Sequence, residues 1–512
     1  MAVPTNMREL IELYQDERAD QTCILRRDEE ITYRELNERV NRVANGLKAI
    51  GIKKGDVVSV YMPNCPDYFY VWFGILKLGA VFGPINALFK GDEVRHVLSD
   101  SGAVAVITSE TLIDTINAAR ETCPALRHVI CLEGETKGAS AYADLLKHPP
   151  ELAPVDIAGY DLAAIVYTSG TTGRPKGAML SHWNYVWDTM AATELVPVPK
   201  GEGRLGLVLP LFHANAQVTS LTQFLTGGSV AMWERFSPGD FWETVDRYQP
   251  RTFSAVPTML SILLTAPVKE GLDISCLDFV ISGAAPLPLE IMQRFEDTFG
   301  LRIIEGYGLT EGTCVSSLNP YWGVRKPGSI GLPIRGQAMR IVDDDMNEMP
   351  AGEYGEIVVK GPNVMQGYYN NPEATAETIV DGWLRTGDMG YVDEDGYTFI
   401  VDRKKDMIIR GGENIYPREI EEVLYTHPQI AEATVIGRKD SIWGEQVVAV
   451  IVPAAGVSLS ADDVIAFCKE RLADYKLPYE VIFRQSLPTS LTGKVQKKVL
   501  REELFGPPGG TR

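Results

Sequence analysis

The chain has 512 residues, 45% apolar and 23% charged, which is too long for one hydrophobic core and ordinary for a globular protein of two or more domains. With 49 basic against 68 acidic residues the net charge is −19, which argues against bulk binding to nucleic acid or to an anionic membrane and makes any anion site a local one. Seven scattered cysteines without a C-x-x-C pair indicate neither a disulfide framework nor a zinc site and fit a reducing compartment.

The opening MAVPTNMRELIELYQDERAD is charged and unsuited to a secretory signal. From about residue 31 helical and strand patterns alternate: TYRELNERVNRVANGLKAIG reads as an amphipathic helix, DVVSVYMP as a strand, EVRHVLSDSG as a helix and AVAVITS as a strand. The longest apolar stretch, VWFGILKLGAVFGPINAL (71–88), contains Lys77, three glycines and a proline, so it reads as a core helix turning into a strand and not as a membrane span. Such alternation predicts an α/β fold with layered, largely parallel sheets.

Near 340–400 short strands punctuated by Asp-Gly and Gly-Glu predict an antiparallel β subdomain, and after DRKKD (402–406) a compact α+β tail follows. The expected division is therefore 1–402, a large domain of layered α/β subdomains plus the β subdomain, and 403–512, a small mobile α+β domain behind a charged boundary suited to a hinge. The terminal PPGGTR lacks a peroxisomal Ser-Lys-Leu ending, so the cytoplasm is the expected compartment.

The most informative stretch is YTSGTTGRPKGAMLSH (167–182). Gly170, Gly173 and Gly177 let the backbone approach a ligand closely, Thr168, Ser169, Thr171 and Thr172 supply hydroxyl donors, and Arg174 and Lys176 supply positive charge. That combination suits a loop closing over phosphates. AAIVYT before it reads as the buried strand that delivers the loop, and Ser181 as the N-cap of the next helix. It is not a Walker A loop, because Pro175 precedes Lys176 and Gly177 follows it.

The segment resembles the phosphate-loop signature of the adenylate-forming superfamily, which includes acyl-CoA synthetases, peptide-synthetase adenylation domains and firefly-type luciferases. EGYGLTEGT (305–313) agrees: Tyr307 can stack on a base, Thr310 can bond a phosphate and Glu311 can hold Mg²⁺ through hard oxygen. By the resemblance, Asp388 in LRTGDMG binds the ribose, Arg403 contacts ribose and phosphate, Lys405 is the hinge, and Gly411, Gly412 and Glu413 line the coenzyme A tunnel with Trp443 on its approach. Lys494, at the end of a Thr-Gly turn, matches the adenylation lysine. The resemblance further implies a nucleotide site that takes in Gly283, Ala284, Ala285, Glu305, Gly306, Gly308 and Ile400. His213 in PLFHANAQ matches a gate position, with the satisfied core histidine as its alternative, and Val256, Gly283, Gly308 and Cys314 join it around the acyl group.

Five motifs in the superfamily's order span nearly the whole chain and imply a two-step ligase using ATP, Mg²⁺ and coenzyme A. The carboxylate of a small-molecule acid, fatty or otherwise hydrophobic, is adenylated with loss of pyrophosphate, and the coenzyme A thiol then displaces AMP. PLFHANAQ holds no aspartate for a substrate ammonium, which weakens an amino-acid substrate. Rival readings are an adenylating enzyme with a carrier protein or another acceptor, and a non-catalytic nucleotide sensor. No nucleic-acid partner and no transmembrane segment are expected, and a homodimer is open.

Overall fold

A computed structural model describes residues 3–136, 138–168, 174–411, 413–454, 456–489 and 495–506. Among these residues four sheets form. A seven-stranded sheet runs Ser140–Ala141, His128–Cys131, Ala105–Thr108, Val57–Tyr61, Val81–Pro84, Leu162–Thr168 and Lys176–Ser181. Its strands are parallel except the last pair, an antiparallel hairpin. The central strand VVSVY is buried along its whole length, as a strand covered by helices on both faces must be.

A nine-stranded sheet places Arg302–Tyr307, Phe279–Ser282, Thr252–Ala255, Arg204–Leu207, Ser229–Met232 and Thr22–Arg26 side by side and parallel, with antiparallel strands at both edges. The layered pattern thus begins before residue 31. Helix Met7–Glu12 and strand Thr22–Arg26 precede it, and the charge of the opening segment masks their buried residues Met7, Leu10, Cys23 and Ile24.

One apolar core spans elements of both large sheets. At its centre lies helix Pro66–Lys77, buried at every position but Asp67, with Trp72 stacked on Phe82 at 5.4 Å and Phe73 edge-on to Phe224 at 5.3 Å. A helix apolar on all sides belongs in a core, and its single ammonium needs partners there. Lys77 Nζ finds Glu12 Oε1 at 2.6 Å and Asn37 Oδ1 at 2.7 Å, while burial pushes its pKa down to about 8. The stretch 71–88 is therefore helix and strand as expected, and no helix among the described residues is long and apolar enough to cross a membrane.

The third sheet is antiparallel throughout and joins Ala338–Val342, Gly355–Lys360, Trp383–Val392, Ile379–Val380 and Thr398–Arg403. The fourth carries Ile408–Arg410, Glu413–Ile415, Ile430–Asp440, Gly444–Pro453 and Glu480–Phe483 over its own apolar core. Contacts cluster where the two meet. Arg418 gives its backbone N–H to Asp402 Oδ2 at 3.0 Å and its Nη1 to Ile400 O at 2.6 Å, and Arg501 Nη1 reaches Asp406 Oδ1 at 3.0 Å. Lys405, exposed, lies between these two clamps.

Candidate active site

Strands Leu162–Thr168 and Lys176–Ser181 pair with Thr168 opposite Lys176, so the Gly-rich segment is the connection of a hairpin. Ser169, Gly170, Thr171, Thr172 and Gly173 lie outside the described residues. What precedes and follows them is firmly held. Ser181 caps helix His182–Thr193 through a reciprocal pair of bonds, Asn184 N to Ser181 Oγ at 3.1 Å and Ser181 N to Asn184 Oδ1 at 2.7 Å. Helix Gly91–Ser101 braces the other side: Tyr167 donates to Asp100 Oδ2 at 2.6 Å, and His96 Nε2 lies 2.8 Å from Pro175 O. A cavity of about 350 Å³ between them is lined by His96, Asp100, Arg174, Lys176 and Asn371.

Across from the hairpin, strand Arg302–Tyr307 runs into the short turn Thr310–Gly312. Gly308 has to be glycine, since a Cβ there would lie 1.4 Å from Cys314 O. That close return puts Glu311 opposite Thr168, whose Oγ1 is 3.4 Å from Glu311 Oε1. Tyr368 donates to the same oxygen at 2.8 Å, and Lys176 Nζ stands 5.1 Å over the Tyr368 ring. Burial and the Glu311 charge both raise the Tyr368 pKa, so its hydroxyl stays a donor. Neither hydroxyl engages Glu311 Oε2. Among the described residues no group of three or more His, Cys, Asp or Glu is placed to hold a metal ion, and the hard oxygen of Glu311 left outside these two bonds is of the donor type that suits magnesium.

A second carboxylate stands beside the first site. Asp388, its side chain 5% exposed, accepts the Tyr307 hydroxyl on Oδ2 at 2.6 Å and meets Arg403 Nε through Oδ1 at 3.0 Å. Strands Trp383–Val392 and Thr398–Arg403 pair Asp388 directly with Arg403, which is how residues fifteen apart in sequence converge. Ile400 packs in the same cluster as Tyr307.

Gly283 and Gly306 back onto each other: a Cβ on Gly283 would lie 3.1 Å from Gly306 O. Ala284 holds a left-handed φ of +67°, unusual without a glycine, and Ala285 follows it. Glu305 is buried and its carboxyl group accepts the Gly328 N–H at 2.9 Å, so the side chain is engaged within the protein. Burial pushes its pKa up to about 7.

On the acyl side, His213 is the N-cap of helix Ala214–Thr226, and its ring lies 4.4 Å from the Phe212 ring. Its surroundings push its pKa down to about 4, so the imidazole is neutral at pH 7. Val256 and Cys314 are buried in the same apolar core. The coenzyme A candidates form a separate group on the fourth sheet. Gly411, at φ +61°, gives its N–H to Trp443 O at 2.8 Å, a Cβ on it would lie 3.0 Å from the Trp443 ring, and Arg410 Cζ stands 5.4 Å from the centroid of that ring. Glu413 opens the adjoining strand, and Gly412 lies outside the described residues. So does Lys494, although Thr489 and Val495 on either side of it pair antiparallel.

Tyr368 is the residue the sequence motifs do not reveal. It lies in QGYYNNPE, where only the Asn-Pro helix start is a recognisable signal, and nothing local links it to Glu311 or Lys176. Its placement comes from strand pairing: Met179 N bonds Gly367 O at 2.9 Å and Tyr369 N bonds Gly177 O at 2.7 Å, which lays 366–369 along the hairpin.

The chain matches the AMP-binding enzyme family over residues 12–369 and the AMP-binding enzyme C-terminal domain over 419–494. It is 40% identical to a feruloyl-CoA synthase of Amycolatopsis sp over 93% of this chain and 94% of that one. It is 35% identical to a long-chain-fatty-acid–CoA ligase of Bacillus subtilis, covering 94% and 92%. It superposes on the anthranilate CoA ligase AuaEII in complex with anthranoyl-AMP with a TM-score of 0.92, at 28% identity and 98% coverage of both chains. The hairpin, the Glu311 turn and the Asp388–Arg403 pair therefore belong to a member of the AMP-binding enzyme family, an AMP-forming acid–CoA ligase with ATP and coenzyme A as co-substrates.

Proposed function

We propose that this ligase activates a hydrophobic carboxylic acid, aryl or fatty, and that its substrate-binding and catalytic groups are those gathered around Glu311. The observation that carries this reading is two neighbouring clusters, Glu311 with Thr168, Tyr368 and Lys176, and Asp388 with Tyr307 and Arg403, joined by the charge of Glu311 acting on Arg403. Together these groups offer a metal carboxylate and an ammonium to a triphosphate, and a carboxylate to a ribose diol. The buried apolar residues Val256, Phe212 and Cys314, with a neutral His213, support an uncharged hydrocarbon body on the acid.

In the first half-reaction the acid's carboxylate oxygen bonds to the α-phosphorus of ATP as the bond to pyrophosphate breaks in line. Magnesium, when bound at Glu311, supplies charge neutralisation on the phosphates. Lys176 shares the charge that grows on the leaving pyrophosphate, Thr310 bonds the phosphate next to Glu311, and Lys494 orients the attacking carboxylate and the bridging oxygen. Tyr307 provides a face for the base, and Asp388 with Arg403 anchors the ribose. In the second half-reaction the coenzyme A sulfur bonds to the acyl carbon and the bond to AMP breaks. For this step the domain 403–512 turns on domain 1–402 about Lys405, withdrawing Lys494 and presenting Gly411, Gly412 and Glu413, with Trp443 at the entrance.

Seven free cysteines support a cytoplasmic location, and sedimentation reads out whether the enzyme is a homodimer. The test of the function is ATP–pyrophosphate exchange over a panel of ferulate-like aryl acids and fatty acids, followed by AMP release with and without coenzyme A. Exchange with no hydrophobic acid overturns the substrate reading. Lys494→Ala is expected to stop exchange while sparing thioester formation from supplied acyl-AMP. Equal loss in both half-reactions overturns the domain rotation.

A further inference from the structure

We infer that Tyr368 is a positioning residue with two separable duties: its hydroxyl orients Glu311 for the metal, and its ring holds Lys176 at the phosphates. The inference rests on the reading of Glu311 as the metal carboxylate. The geometry is specific. Glu311 is gripped from one segment by both main chain and side chain, its carbonyl accepting Met365 N at 2.8 Å and its Oε1 accepting the Tyr368 hydroxyl at 2.8 Å. Thr168 Oγ1 approaches that same Oε1 at 3.4 Å. With Oε1 held this way the carboxylate plane is set, and Oε2 is the oxygen left to a cation. Outer hydrogen bonds of this kind fix a ligand's orientation and commonly change metal affinity 10–100-fold.

The same side chain meets the phosphate hairpin. Lys176 Nζ lies 5.1 Å over the ring centroid, within cation–π range, and the Tyr368 backbone is fixed by the Thr375 Oγ1 acceptor at 2.9 Å and by the flanking rungs to Met179 and Gly177. One buried side chain, 8% exposed, thereby sets the distance between the carboxylate and the ammonium that flank the triphosphate.

The test compares Tyr368→Phe, Tyr368→Leu and Glu311→Gln with the wild type in the full-length enzyme. Mn²⁺ binding in the presence of ATP is followed by electron paramagnetic resonance, beside the two half-reactions assayed separately. Tyr368→Phe is expected to weaken Mn²⁺ binding and to raise the Mg²⁺ requirement of adenylation about 10-fold or more. It should leave thioester formation from supplied acyl-AMP, a step without a triphosphate, within about twofold of wild type, and because the ring remains, the KM for pyrophosphate in the reverse reaction should hold. Tyr368→Leu should in addition raise that KM. Wild-type Mn²⁺ binding in Glu311→Gln overturns the reading of Glu311 itself. Weak binding in Glu311→Gln with wild-type binding in Tyr368→Phe overturns the positioning role, as does equal loss of both half-reactions in Tyr368→Phe. A Tyr368→Leu enzyme with an unchanged KM for pyrophosphate overturns the second duty.

Discussion

Arg403 Nε lies 3.0 Å from Asp388 Oδ1, and the other oxygen of that carboxylate takes the Tyr307 hydroxyl at 2.6 Å. Asp388 is thus held by a cation from one strand and a phenol from another sheet before any nucleotide arrives. Asp388→Ala strips partners from both and is expected to raise the KM for ATP at least about tenfold and to lower stability by about 2 kcal/mol, a buried-pair loss discounted for the partial exposure of Arg403. ATP titration of pyrophosphate exchange and thermal melting check it. An unchanged KM sinks the ribose assignment.

Lys176 is expected to act on the leaving group alone. Lys176→Met should slow adenylation about a hundredfold, the usual cost of removing one preorganised donor from a developing charge. Thioester formation from supplied acyl-AMP should be nearly untouched. The two half-reactions, assayed separately, decide it.

Gly308 and Gly91 make a contrasting pair. A Cβ at Gly308 would lie 1.4 Å from Cys314 O, a main-chain atom that cannot step aside, whereas a Cβ at Gly91 meets nothing within 4 Å. Gly308→Ala is expected to abolish activity and cost several kcal/mol through displaced backbone. Gly91→Ala, at the first residue of a helix, should be neutral or stabilising by up to about 0.5 kcal/mol. Melting curves for both variants check the pair, and equal effects would refute the steric account.

Glu305 links stability to pH. Folding raises its pKa from 4.5 to about 7, chiefly by burial, so the native state keeps a proton that the unfolded chain has lost. Stability therefore falls as pH rises from about 4.5 to about 7, and above pH 7 the full penalty, about 3 kcal/mol, is present. Glu305→Gln keeps an acceptor for the Gly328 N–H without the charge. Its Tm should change less than that of the wild type between pH 5 and pH 8, and the same pH slope in both proteins would exclude Glu305 as the cause.

Chemistry carried by short contiguous runs was legible in the sequence. YTSGTTGRPKGAMLSH reads as a phosphate loop because glycine, hydroxyl and ammonium stand in one stretch, and the buried strand before it and the helix capped by Ser181 lie where periodicity and capping put them. Glu311 stands out in EGYGLTEGT in the same way, whereas Asp388 in LRTGDMG is singled out only by the family resemblance. Tyr368 was not legible: its partners Glu311 and Lys176 lie 57 and 192 residues away, and only the rungs from 366–369 onto strand Lys176–Ser181 bring them together. Glu305 shows the converse, a motif residue whose buried carboxylate is taken up by the Gly328 N–H, a partner no local pattern announces.

The sequence by itself determined the layered α/β class, the strand and capped helix that flank the Gly-rich segment and the identity of the charged groups, because each depends on local periodicity or on residue chemistry. Only the tertiary structure decided which of those groups meet. Glu311 comes to share its oxygen with Thr168 and Tyr368, and Arg403 comes to face Asp388, through strand pairing and burial between segments far apart in the chain.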